Sequence, residues 1–396
     1  MKSRIELPDS LIELSRIIPS PLYVTGGYVR NSIMGIKTSD IDIAAKERPE
    51  DIINLLKGSG FQTVPVNMKL GTLKIIKGGE YYEYTAFRKD SYPKGSGIHK
   101  PLNVSFTEDI KEDALRRDFT VNAIYYSVKD HTFVDITGGI EDIKSRVIRA
   151  VKMPDEVFSE DGLRLMRMVR FTAELGFSVD ESTLESAKKN RLLIKDIAPE
   201  RIYNELKMIL SADQKYGIGG AHIKGIKLLK ETGIAEIIFP GLSVSEDIDC
   251  ANKIRQAVML IQNDKDSIIN ALYGIKAEGA EITLTKRLKD LHLRDDAVEV
   301  FATNPDIQDI LPDFYRAVGR NEMSVKTAEI ARKVKKNGLP DRVSALKVKG
   351  RDLIALNIKE NKRSEILNKL LLASITEGLT SKEEQMRYLR EKLWTD

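Results

Sequence analysis

The sequence predicts an α+β chain, in which a mixed strand-and-helix N-terminal part is followed by an all-helical remainder. Three observations carry this. Residues 22–45, LYVTGGYVRNSIMGIKTSDIDIAA, read as strand, Gly-Gly turn, helix and second strand. Residues 61–67, 71–76 and 81–87 continue with β-like segments. From residue 140 onward the apolar period becomes helical and stays so.

A chain of 396 residues has material for two to four domains. With 42% hydrophobic and 31% charged residues it belongs among globular rather than disordered chains. A single cysteine, Cys250, excludes an internal disulfide and a cysteine-rich zinc site, and the four histidines are scattered without ligand spacing. The start, MKSRIELPDS, lacks the apolar core of a signal peptide, and no apolar run reaches membrane-spanning length, so a cytoplasmic protein with no membrane partner is expected. The net charge of +4 is uneven. Residues 331–396 hold sixteen Lys and Arg against nine Asp and Glu, a surplus suited either to a nucleic-acid backbone or to a solvated helical face.

Residues 8–18 form a short amphipathic helix leading into the central stretch. There, Gly26 and Gly27 allow a tight turn and close approach to a phosphate. The helix that follows aims its free N–H groups over that turn, and Arg30, one turn in, adds positive charge. Asp40 and Asp42 lie two apart on a strand and so share a face, while Ile41 and Ile43 go to the core. Two adjacent carboxylates repel unless a cation sits between them, and hard oxygens suit Mg²⁺. A phosphate cradle beside such a pair is equipment for two-metal nucleotidyl transfer. Either motif alone is more often a plain turn or a solvated strand edge; their order and context favour function.

Residues 49–57 are a helix opened by Pro49, and Lys69-Leu70-Gly71-Thr72 is a hairpin signal. Glu83 falls inside the aromatic strand YYEYTAF, as a cross-strand ion-pair partner or as a third metal carboxylate. Residues 88–106, rich in Gly and Pro, read as a long loop with Arg88 and Asp90 at its root. In DALRRDFTVNA, Arg116, Arg117 and Asp118 run into the apolar strand AIYYSV. Arginines there can neutralise a triphosphate and Asn122 can bond a ribose; the plainer account is a helix C-terminus with basic residues on its dipole.

In SEDGLRLMRMVRFTAELGF, Ser159 is the expected N-cap, Glu160 and Asp161 the first turn, and Gly176 the stop. Asp161 and Arg164 are then neighbours on one turn, Arg167 follows at the same step, and Arg170 drifts to the opposite side. An aspartate accepts from an exocyclic amine and an arginine donates to a ring nitrogen or carbonyl, so the first two form an edge able to read a base; ordinary helix stabilisation is the alternative. In PERIYNELKMIL, Arg201 and Glu205 are spaced for a structural i,i+4 ion pair supporting the previous helix. Helix follows helix from there, and GRDLIAL opens a late one.

GGYVRN, DID, RRDFTVNA, EDGLRLMRMVRF and ERIYNELKMIL, in this order, resemble the bacterial class II tRNA nucleotidyltransferases, the CCA-adding enzymes. The match is dense over residues 21–210 and weaker toward GRDLIAL, which looks like the family's tRNA-binding segment. The resemblance implies a polymerase-β-like nucleotidyltransferase head over residues 1–142, a base-selecting neck over 143–210, a body over 211–320 and a basic tRNA-binding tail over 321–396. It implies Mg²⁺ on Asp40 and Asp42, with Glu83 a further acid. It places Gly26, Gly27, Arg30 and Arg117 at the incoming nucleotide and Asp118 and Asn122 near its ribose. Asp161 and Arg164 would choose CTP or ATP without a template, and Arg167 and Arg170 match further arginines. tRNA, CTP and ATP are the implied partners, with a monomer or homodimer both open. Asn31 and Leu70 depart from the usual aspartate and histidine. Retention of residues 88–106 favours full CCA addition over CC-only addition; an A-only enzyme, or a binder with an inactive head, remain alternatives.

Overall fold

A computed structural model describes residues 4–91 and 103–394. The chain forms two compact units, Met1–Pro240 and Gly241–Asp396.

In the first unit, α1 (Asp9–Ile17) leads into β1 (Tyr23–Thr25), α2 (Gly27–Met34), β2 (Ile41–Ala45) and α3 (Pro49–Leu55). The strands β3 (Gln62–Asn67), β4 (Thr72–Lys77) and β5 (Glu80–Ala86) follow. A one-turn helix, Met68–Leu70, and Gly71 in the left-handed region join β3 to β4, which pair antiparallel as the hairpin signal required. After β6 (Arg88–Ser91), β7 (Asn103–Phe106) and α4 (Ile110–Leu115) come β8 (Ile124–Ser127), β9 (Phe133–Asp135) and α5 (Gly139–Ser145).

Seven of these strands form one mixed sheet in the order β3-β4-β5-β2-β1-β8-β9. Its one parallel pairing, β2 with β5, sets Asp42 opposite Glu83. Ile41 and Ile43 are buried, as are Tyr82 and Tyr84 on the neighbouring strand, so both carboxylates emerge on the other face. The stretch 88–106 is not simply a loop. Its two ends pair antiparallel, Arg88 opposite Phe106, because alternating residues there find ladder partners. The remainder of that stretch, residues 92–102, lies outside the described residues.

Beyond α5 the unit is helical apart from the short parallel pair β10 (Val147–Ile148) and β11 (Ser178–Val179). Its helices are α6 (Pro154–Glu160), α7 (Leu163–Leu175), α8 (Glu181–Asn190), α9 (Pro199–Leu210), α10 (Ala212–Tyr216), α11 (Ala221–Glu231) and α12 (Ala235–Ile238). The expectation of a single helix capped by Ser159 is corrected. Ser159 lies inside α6, which Pro154 opens, and α7 begins only at Leu163. Asp161 sits extended between them (φ −148°, ψ 104°), its Oδ1 accepting from the Leu163 N–H at 3.0 Å. Helix α7 is buried at every position but Arg167 and packs against α9, α10 and α11. It carries Arg164, Arg167 and Arg170.

The second unit runs from α13 (Asn252–Leu260) to α21 (Lys382–Tyr388) and is helical. GRDLIAL opens a helix, Gly350–Ala355, whose Asp352 Oδ2 accepts from the Lys349 N–H at 2.7 Å. Among the described residues, no helix is long and apolar enough to cross a membrane.

Candidate active site

One open pocket of about 510 Å³ lies over the Gly-Gly turn. That volume falls within the range of sites for small ligands. The turn needs glycine at its first position. Gly26 has φ +70°, and a Cβ there would stand 3.1 Å from Asp42 Oδ2. Gly27 opens α2 and has ordinary room, with Arg30 Nη2 the nearest neighbour at 3.6 Å.

Asp42 lines the pocket, and its carboxyl is pushed up to about 6. Burial is the largest cause, the Glu83 and Asp40 charges add to it, and Arg117 opposes them. Asp40 is exposed, just before β2, and accepts from the Tyr81 hydroxyl at 3.1 Å. Among the described residues, no group of three or more His, Cys, Asp or Glu is arranged to hold a metal ion. The donor chemistry still fits a hard cation. Asp42 is destabilised as an anion by two further carboxylates, a penalty that a divalent ion removes.

Arg30 is buried. Its guanidinium donates to Asn31 Oδ1 (3.2 and 3.1 Å), Asn122 Oδ1 (2.5 Å) and the Tyr216 hydroxyl (2.9 Å). Asn31 therefore serves as a neutral acceptor beside Arg30, and Tyr216 also donates to it at 3.1 Å. The other departure, Leu70, offers its backbone carbonyl to Arg88 at 2.5 Å.

Asp118 is buried and takes hydrogen bonds from the Phe119 N–H (2.8 Å), Asn122 Nδ2 (3.3 Å) and Arg167 Nε (2.8 Å). Burial alone would raise its carboxyl, but Arg167, the Phe119 N–H and Arg164 outweigh that and hold it at about 2. The Phe171 ring forms part of the wall. Arg30, Arg167 and Arg170 lie over it at 5.5, 5.1 and 4.2 Å from its centroid.

Asp161 and Arg164 both face the pocket, and the Arg164 N–H donates to the Asp161 carbonyl at 2.9 Å, while their side chains have different supports. Arg164 is fixed by the Val157 carbonyl (3.0 Å), Glu160 (2.8 Å) and the Arg116 carbonyl (2.5 Å). Asp161 accepts from Arg201 at 3.1 Å. The expected Arg201–Glu205 pair is thus corrected, because each residue takes a partner near or on α7: Arg201 takes Asp161, and Glu205 takes Arg170 at 2.7 Å. Arg170 is not brought to the pocket. It is buried behind Phe171 between Glu174 and Glu205, consistent with its drift around the helix.

The pocket thus joins Gly26, Gly27, Arg30 and Asp42 from the strand–turn–helix unit to Arg117, Asp118 and Asn122 from the α4–β8 segment, and to Asp161, Arg164 and Arg167 from the α7 region. Arg88, Asp90, Arg116, Leu163, Phe171 and Arg201 complete it. Phe171 and Arg201 carry no motif signal that would place them in the pocket. The i,i+4 spacing of Arg201 was visible, but its partner across the fold was not.

This fold and site define a nucleotidyltransferase head followed by helical segments. The poly(A) polymerase head domain matches residues 22–149, and the probable RNA- and SrmB-binding site of polymerase A matches residues 176–245. These matches assign residues 22–149 and 176–245 to domains of the poly(A) polymerase family.

The CCA-adding enzyme of Lactobacillus helveticus is 34% identical over 237 residues, 58% of this chain and 56% of the relative. That of Pediococcus pentosaceus is 38% identical over 197 residues, 50% of this chain and 48% of the relative. This chain therefore spans about half the length of the curated relatives it matches. The structure of the Bacillus stearothermophilus CCA-adding enzyme in complex with CTP superimposes with a TM-score of 0.72 at 24% identity, covering 97% of both chains. The Thermotoga maritima CCA-adding enzyme complexed with tRNA gives 0.72 at 20% identity, covering 99% of this chain and 97% of that one. At these identities the two structures establish the fold.

Proposed function

We propose that this chain adds C, C and A to the 3′ end of tRNA, using CTP and ATP and no nucleic-acid template. One observation carries the reading: a single pocket holds both the Gly-Gly turn with Asp42 and, across it, the pair Asp161 and Arg164. Equipment for triphosphate chemistry and an edge able to read a base thus face the same space. The relatives named as CCA-adding enzymes support the same assignment.

In the proposed reaction the terminal 3′-hydroxyl oxygen bonds to the nucleotide α-phosphorus. The bond to the bridging oxygen breaks, pyrophosphate leaves with that electron pair, and the hydroxyl proton is lost to solvent. Asp40 and Asp42 are the proposed holders of Mg²⁺, with Glu83 beside them. Bound there, the ions would supply an activated hydroxyl and charge neutralisation on the leaving pyrophosphate. Arg30 and Arg117 present fixed positive charge to the triphosphate, and the Gly26–Gly27 turn lets the backbone come close to it. Asp118 and Asn122 orient the ribose. Asp161 accepts from the exocyclic amine that cytosine and adenine share, while Arg164, immobilised by its three acceptors, donates to the ring. Arg167 holds Asp118 in place.

The division into head, neck, body and basic tail is part of this reading, with the tail gripping tRNA phosphates in the cytoplasm. The test uses a tRNA ending before CCA, with CTP and ATP supplied singly and together. Growth by three residues with both nucleotides is expected. Growth by two, by one or by many would point instead to CC-only, A-only or poly(A) addition. No growth would leave an RNA-binding protein with an inactive head.

A further inference from the structure

At the base of the pocket lies a carboxylate that the proposed chemistry does not use. Asp113, on α4, is completely buried. Its Oδ1 accepts from Arg116 Nε at 2.8 Å and from the backbone N–H of Arg88 at 3.2 Å. Its Oδ2 accepts from Arg117 Nη2 at 3.2 Å and from the Tyr125 hydroxyl at 2.5 Å. Four donors on one carboxylate saturate its bonding capacity. Burial alone would push this carboxyl up, but Arg116, Arg117 and Tyr125 outweigh that and hold it below the usual range.

The donors are not equivalent bystanders. Arg116 and Arg117 both line the pocket. Arg117 also bonds the Tyr125 hydroxyl through Nε (2.9 Å) and the Asn122 carbonyl through Nη1 (3.2 Å), and stacks over the Tyr125 ring at 4.9 Å. Its Nη1 comes within 3.9 Å of where a Cβ on Gly26 would stand, so Asp113 aims this guanidinium at the turn. The Arg116 carbonyl accepts from Arg164 Nη2. The Arg88 N–H belongs to the first strand of the β6–β7 hairpin. One buried group therefore ties together the hairpin root, the two arginines facing the nucleotide and, through the Arg116 backbone, the arginine proposed to read the base.

We propose that Asp113 is a positioning residue for nucleotide binding, which acts by presenting Arg116 and Arg117 to the triphosphate. The inference rests on the proposed function for the identity of the nucleotide. A charged hydrogen-bonded pair of this kind is strong when intact, and removing its charge while keeping its shape isolates the positioning effect.

The test is Asp113→Asn in the full chain, with the affinity for CTP measured by equilibrium titration and the melting temperature measured alongside. CTP affinity is expected to fall about tenfold to a hundredfold, and tRNA affinity to change less than about twofold. In an Arg117→Ala background the same substitution is expected to cost less CTP affinity than it does in the unaltered chain, because one of its two routes to the ligand is already gone. A general loosening of the fold would instead lower both affinities and add in full to Arg117→Ala; that outcome overturns the proposal. If Asp113→Asn does not fold, Tyr125→Phe takes its place. It keeps the buried ring and deletes the hydroxyl that Asp113 and Arg117 share, and it is expected to weaken CTP about threefold to tenfold with the same reduction of effect beside Arg117→Ala. Unchanged CTP affinity in that variant overturns the proposal as well. Extension of tRNA by the unaltered chain is read separately. Its absence contradicts the proposed function, whereas the titrations decide the role of Asp113 without turnover.

Discussion

The Asp161 carboxylate is held by Arg201 on α9, at 3.1 Å, and not by Arg164 three residues further along the chain. The carboxylate and the arginine proposed to read a base are thus oriented by different supports. Asp161 leans on a neighbouring helix, while Arg164 is fixed by the end of α6 and by the Arg116 backbone.

Base choice should therefore respond to Arg201. Asp161→Ala is expected to relax the preference for CTP and ATP over UTP and GTP more than it weakens tRNA binding. Arg201→Ala is expected to relax it in the same direction but less. The Arg201 side chain is 42% exposed, so its pair with Asp161 contributes at most about 1 kcal/mol to stability. The melting temperature of Arg201→Ala should fall by no more than about 4 °C. Misincorporation assays with the four nucleotides check this, and an unchanged preference in Asp161→Ala would remove the assignment.

The two glycines of the turn should behave differently. Gly26→Ala forces a Cβ into the left-handed region and to 3.1 Å from the Asp42 carboxylate. A cost of about 1–2 kcal/mol in the backbone and at least a tenfold loss of kcat is expected. Gly27→Ala meets only ordinary contacts, so its thermal stability should match that of the unaltered chain, with any loss confined to the KM for nucleotide. Equal destabilisation by both substitutions, measured by urea unfolding, would contradict this.

Acid should reach the site through Asp118. Its carboxyl is held at about 2 in the folded chain, below the ordinary 3.8, so the unfolded chain binds the proton more readily. The stabilisation is then fully present above about pH 4 and is lost as the pH falls toward about 2. The shift corresponds to about 2 kcal/mol. Unfolding free energy followed from pH 5 to pH 2 should drop more steeply for the unaltered chain than for Asp118→Asn, whereas parallel curves would contradict the assignment.

Gly139 opens α5 against the segment that carries Asp118 and Asn122. A Cβ there would fall 2.1 Å from the Thr120 carbonyl oxygen. Backbone must move to admit it, and Gly139→Ala is expected to destabilise the first unit by at least about 2 kcal/mol. Chemical denaturation checks this; a change below about 0.5 kcal/mol would show that the contact relaxes freely.

Much of the site was legible because its signals are local. The period-two spacing of Ile41, Asp42 and Ile43 determines which side chains are buried, and the register of Asp42 with Glu83 follows from two adjacent amphipathic strands. The start of α7 was misread for an equally local reason. Ser159, Glu160 and Asp161 all suit a first helical turn, yet Pro154 had already opened a helix that consumes the first two and leaves Asp161 extended. Arg201 and Glu205 have helical spacing for each other, but Asp161 and Arg170 stand closer to each of them in the fold. Tyr216 reaches Asn31 across 185 positions of sequence. Asp113 looks like any first-turn acid of a short helix. Nothing in a window of neighbouring residues marks contacts of that range, which exist only once α7, α10 and the sheet have packed.

Asp42, beside the Gly26 turn, is proposed as the place of nucleotidyl transfer. Its most direct test is single-turnover incorporation of CMP into tRNA lacking CCA, by Asp42→Ala at saturating CTP and Mg²⁺. The rate is expected to fall below about 1% of that of the unaltered chain, with tRNA affinity unchanged, since loss of a catalytic metal holder costs several kcal/mol of barrier. A rate within about tenfold of the unaltered chain would contradict it.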